Sequence, residues 1–105
     1  MLFAVIAKDG TDAAAPARRL AVRPQHLEAI RPLVESGTVL LGGAFLNDAG
    51  GMIGSLMLLE AESEAEARAL LERDVYVTGG VWQHYELHPF RIAVQSETLG
   101  GKRDG

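Results

Sequence analysis

The chain has 105 residues, a net charge of −4 and no cysteine. That length supports one two-layer domain, and the interspersed charges argue against nucleic acid as a partner, which would favour a basic patch. The absence of thiols excludes disulfides, thiolate nucleophiles and zinc–thiolate sites.

The start, Met1-Leu2-Phe3-Ala4-Val5-Ile6-Ala7, is apolar but too short for a membrane span, and it lacks a basic region and a cleavage site. The expected setting is therefore cytoplasmic, with no membrane partner. Residues 2–8 form an apolar run of strand length, closed by Asp9-Gly10. Residues 9–15 read as a loop, and a short helical turn over 16–21 carries Arg18 and Arg19. Pro24 suits the first turn of a main helix over 24–36, where its missing N–H is harmless. Pro32 predicts a bend or an early end, and Gly37 stops the helix. Residues 38–46 and 52–60 are strands joined by Asn47-Asp48-Ala49-Gly50-Gly51, a hairpin turn.

Ser63-Glu64-Ala65-Glu66 has the capping-box pattern and opens a helix that runs to about Arg73. Thr78-Gly79-Gly80 then breaks the chain, and 81–94 is the last strand, in which Pro89 marks an edge or a bulge. The order βαββαβ is ferredoxin-like: an α+β fold, an antiparallel sheet with two helices on one face. One domain is expected over 1–94, followed by a polar, glycine-rich tail over 95–105 that should fray.

Two helices cover only one face of a four-stranded sheet. Yet residues 2–7 and 53–59 are apolar at nearly every position, interrupted only by Gly54-Ser55. Strands buried on one face alternate, whereas strands buried on both do not. A second copy of the chain is the simplest cover for the other face, so a homodimer is expected.

Two ionisable residues fall on apolar helix faces. On a wheel of the main helix, His26 lies inside the arc of Ile30, Leu33 and Val34, opposite Glu28, Arg31 and Glu35. Asp74 lies between Leu70 and Leu71 if the second helix continues through it. A buried carboxylate needs a partner, and so does a buried imidazole. The economical solution is that they meet, leaving His26 usable as a general acid or base. The alternative is a satisfied core pair.

Several other side chains are candidates for binding a substrate. Ser55 interrupts the third strand beside Gly54 and could orient a substrate oxygen, or simply bond to neighbouring backbone. Tyr76 could lend its phenol to a pocket or cap the core with its ring. Arg19 and Arg23 could hold an anionic group, although solvated arginines are common. His84 and His88 flank Glu86 and read as a solvent-facing polar stripe. Neither His-Glu-x-x-His nor a carboxylate facial triad is present, so no metal and no other cofactor is expected.

Leu20-Ala21-Val22-Arg23-Pro24-Gln25-His26-Leu27, Gly54-Ser55, Asp74-Val75-Tyr76 and Val81-Trp82 through Pro89-Phe90 together resemble the YciI-like (YCII-related) family. The resemblance spans about residues 1–94, and Val75 departs from the proline usual in that family's Asp-Pro-Tyr. It implies a ferredoxin-like fold that dimerises into an α+β barrel, with His26 and Asp74 as a catalytic dyad. The resulting expectation is a small cofactor-independent enzyme for proton transfer, isomerising or eliminating on a small oxygenated, cyclic metabolite. Ring-lactone isomerases with that barrel architecture offer only a fold-level analogy. The alternative is a non-catalytic module that binds a small molecule, or a dimeric scaffold.

Overall fold

A computed structural model describes residues 1–101. Its elements are β1 (Leu2–Asp9), α1 (Ala15–Glu35), β2 (Val39–Leu46), β3 (Met52–Glu60), α2 (Glu64–Glu72), α3 (Val75–Thr78), β4 (Trp82–Phe90) and α4 (Glu97–Gly101). The four strands form one sheet in the order β2-β3-β1-β4 with every pairing antiparallel. This is the ferredoxin-like α+β fold that the element order predicts. Of the tail expected to fray, 102–105 lies outside the described residues, and α4 was not foreseen.

Alternation sorts each strand into two faces. Phe3, Val5 and Ala7 of β1 point into the core, opposite Leu59, Met57 and Ser55 of β3. Ala67 and Leu71 of α2, with Val22, Ile30 and Leu33 of α1, pack on that same core. On the helix-free face Ile6 stands between Leu56 and Glu86. Both Ile6 and Leu56 keep 37% of their surface exposed in the single chain. Pro89 lies in β4, an outer strand, where a missing N–H is tolerated.

The first helix differs from expectation. It is one element of 21 residues rather than a turn followed by a helix, and both Pro24 and Pro32 lie inside it. Pro16, not Pro24, occupies the first turn. Each interior proline removes the partner of a carbonyl four residues earlier, at Leu20 and Glu28. Both of those residues, and both prolines, are on the exposed side. Water can satisfy the freed carbonyls there, and packing of the inner face holds the helix through them.

The Ser63 cap forms as expected, with Ser63 Oγ accepting from Glu66 N–H at 3.1 Å. Glu66 closes the box on Glu62 N–H at 2.8 Å rather than on Ser63. The Asn47–Gly51 turn also forms, Asn47 N–H donating to the Gly51 carbonyl at 2.9 Å.

Gly54 permits a close approach of β1 and β3. A Cβ there would lie 2.5 Å from the Ala7 carbonyl oxygen and 3.4 Å from the Phe45 ring. The first obstacle is backbone in the sheet and cannot rotate away. Gly54→Ala should therefore destabilise the protein by about 1–3 kcal/mol, read as a lower urea midpoint at unchanged slope. An unchanged midpoint would show that the strands can part without cost.

Candidate active site

Asp74 reaches the site by a different route from the one its helical wheel suggests. α2 ends at Glu72, and Asp74 is the extended N-cap of α3. Its Oδ1 accepts from Tyr76 N–H at 2.9 Å, the usual work of an aspartate cap. The same oxygen meets Nδ1 of His26 at 2.8 Å. The two side chains are 14% and 11% exposed, so little water competes for the contact.

A carboxylate only accepts, so Nδ1 of His26 carries the proton in that bond. Nε2 is then the nitrogen with the lone pair whenever the ring is neutral. Nε2 has no protein partner among the described residues. The imidazole stacks on Tyr76, with centroids 3.9 Å apart and planes 9° from parallel. Trp82 meets Tyr76 edge-on at 5.7 Å. Ring orientation is thus fixed twice, by the carboxylate and by the stack.

Beneath this pair lies a buried charge that sequence reasoning left open. Arg19 is 4% exposed. Its Nη1 donates to both Asp9 oxygens at 3.0 Å and to the Gly54 carbonyl at 3.2 Å. Its Nη2 donates to Ser55 Oγ at 2.9 Å, and the Trp82 indole N–H donates to the same oxygen at 3.1 Å. The guanidinium carbon sits 4.8 Å from the Tyr76 ring centroid, within cation–π range. Arg19 Nε is buried without a partner among the described residues. The charge of Arg19 is therefore balanced inside the protein rather than offered to a ligand.

These groups line a cavity of about 270 Å³. His26, Tyr76, Trp82, Ser55 and Arg23 contribute its polar wall, and Leu27, Ile30 and Met57 are among its apolar lining. An apolar void of about 150 Å³ accepts benzene, so this one suits a single substituted ring and not a nucleotide. Arg23 is exposed and makes no ion pair among the described residues. Burial pushes the Tyr76 phenol up from its ordinary value, against smaller opposing effects of Arg19 and Arg23. At neutral pH it is an uncharged donor.

The candidates read from the sequence (His26, Asp74, Ser55, Tyr76, Arg19 and Arg23) thus converge on one place. Asp9 and Trp82 were missed as members. Inward parity along Phe3, Val5, Ala7 and Asp9 was the available signal for the first, since a carboxylate on the core side needs a cation. Trp82 offered no comparable signal, because its partner Ser55 is 27 residues away.

His84, Glu86 and His88 are exposed on the helix-free face of β4, apart from the cavity. The His88 imidazole, and then that of His84, hold the Glu86 carboxyl below its ordinary value. Among the described residues no group of three His, Cys, Asp or Glu is arranged to hold a metal ion. No helix among them is long and apolar enough to cross a membrane.

An α+β fold carrying a His–Asp pair over a ring-sized cavity defines the class of protein. The chain belongs to the YCII-related domain family, whose model matches residues 1–91. It is 36% identical over 97 residues to Protein YciI of Escherichia coli O6:H1, covering 87% of this chain and 97% of that one. Fusaric acid biosynthesis protein 2 of Gibberella fujikuroi is 32% identical over 97 residues, covering 85% and 91%. A solved structure with the same fold is 5-chloro-2-hydroxyhydroquinone dehydrochlorinase (TftG) from Burkholderia phenoliruptrix AC1100, in complex with 2,5-dihydroxybenzoquinone. It matches with a TM-score of 0.74 at 26% identity, covering 87% of this chain and 94% of that one.

Proposed function

We propose that this protein is a small cofactor-independent enzyme in which His26 and Asp74 move a proton on a compact, oxygenated, ring-sized metabolite. The observation that carries the reading is the 2.8 Å contact between His26 Nδ1 and Asp74, on an imidazole that lines the cavity with Nε2 unpartnered among the described residues. Nε2 takes a proton from a substrate hydroxyl or from a carbon beside a carbonyl, and Asp74 stabilises the resulting imidazolium. Return of the proton to another substrate atom completes an isomerisation. Departure of a leaving group with its electron pair completes an elimination instead. The likeness to a dehydrochlorinase with a hydroxyquinone bound supports this class of substrate. Ser55, Tyr76 and Arg23 bind substrate oxygens, while Arg19 holds Ser55 and Tyr76 from below.

The test is turnover and melting measured on the same variants, using a compound found by thermal-shift screening of hydroxylated quinones and enolisable lactones. Asp74→Asn keeps the shape but favours the wrong tautomer, so activity should fall on the order of 10²-fold or more. His26→Ala should be at least as damaging, and the double variant little worse than either single one. A purely structural pair would lose about 1–3 kcal/mol of stability instead. Unchanged turnover per folded molecule in His26→Ala overturns the enzymatic reading.

A homodimer in the cytoplasm, its two sheets packed through their helix-free faces, accounts for the apolar residues left in solvent by one chain. Ile6 and Leu56, paired across β1 and β3, lie at the centre of that face. Light scattering should give a dimer at micromolar concentration, burying above roughly 1,200 Å² in total, and Ile6→Arg should dissociate it. A monomeric wild-type protein refutes this assembly.

A further inference from the structure

A serine hydroxyl has one hydrogen and two lone pairs. In Ser55 both lone pairs are engaged, since Arg19 Nη2 donates at 2.9 Å and Trp82 Nε1 at 3.1 Å. Neither partner can exchange roles, because guanidinium and indole groups only donate. The hydroxyl hydrogen must therefore find an acceptor elsewhere, and no described residue supplies one. Ser55 is 6% exposed and lines the cavity. The geometry points to Ser55 as an obligate hydrogen-bond donor into the cavity, selecting a ligand that presents an ionised oxygen. This rests on the reading of the cavity as a site for an oxygenated metabolite, and it adds the charge state that is taken.

Three features of the cavity agree with an anionic guest. Donation from the Arg19 cation polarises the Ser55 O–H and strengthens its own donation. Among the described residues no aspartate or glutamate lines the cavity, whereas Arg19 and Arg23 do. Asp9 neutralises Arg19, which leaves Arg23 as the countercharge for a ligand. The neutral Tyr76 phenol is a further donor, and His26 Nε2 is the acceptor beside it. Donors around one base fit an enolate or a hydroxyquinone anion. The same occupancy makes Ser55 a poor nucleophile, since both lone pairs are drawn toward donors.

Calorimetric titration with 2,5-dihydroxybenzoquinone, a readily ionised vinylogous acid, and with its dimethyl ether, which cannot ionise, tests this. Wild-type protein should bind the acid about tenfold or more tighter, the scale of one hydrogen bond to a charged group. Ser55→Ala should erase most of that preference, and Ser55→Thr, which keeps the hydroxyl, should retain it. Ser55→Ala strands two buried donors, so its melting is measured alongside. If it fails to fold, the two ligands on wild-type protein and on Ser55→Thr still decide. Equal wild-type affinity for the two compounds, including no binding of either, overturns the inference. So does a folded Ser55→Ala protein with its preference intact. Titrating Asp74→Asn in parallel separates this from the catalytic reading. A preference that persists there while His26→Ala leaves turnover unchanged would defeat the enzyme and spare the anion site.

Discussion

The structure turns on burying one guanidinium. Arg19, near the start of α1, is only 4% exposed, where an unpaired cation would be prohibitively costly. Its needs explain features that otherwise look arbitrary. β1 ends in an inward aspartate because Nη1 requires a carboxylate. The apolar run of β3 is broken at Ser55 because Arg19 takes its hydroxyl, beside a Gly54 that leaves room for the Ala7 carbonyl and whose own carbonyl Arg19 also takes. Removing one partner of such a buried pair typically costs about 3–5 kcal/mol, because the other charge is left stranded. The pair therefore fixes where α1 lies on the sheet, and with it the position of His26 seven residues further along the helix.

A second economy lies in Asp74. One carboxylate oxygen caps α3 and fixes the His26 tautomer. Because the cap holds Asp74 through backbone, the group that orients the imidazole is itself rigid. Tyr76, two residues on, is placed by the same turn to stack on the ring. Preorganisation of this kind is what a positioned base requires, since its benefit comes from geometry set before the substrate arrives.

Much of this was legible in the sequence, but unevenly. The limits of β1, β2 and β3, the Asn47–Gly51 hairpin and the Ser63 cap follow from local chemistry, and local chemistry decided them, whereas the last strand, expected over 81–94, ends at Phe90. Pro24 and Pro32 were misjudged for the opposite reason. Their cost depends on whether the freed carbonyls face water, which only the packed helix reveals. Asp74 was expected to meet His26 from a helix face and meets it from a cap. The expectation of contact survived because burial forces two polar groups together whatever the backbone between them does. The partnership of Asp9 with Arg19 was not seen, since Asp9-Gly10 reads first as the end of a strand.

The most direct test of the central claim, that Asp74 holds His26 with Nε2 free to act as a base, is its tautomer. Long-range 15N–1H spectra of the imidazole, recorded above the pH of its titration, should show the proton on Nδ1 and an unprotonated Nε2. Asp74→Asn should abolish that strict preference. A neutral His26 carrying its proton on Nε2 in the wild-type protein would contradict the account, because the ring would then have no lone pair to offer the cavity.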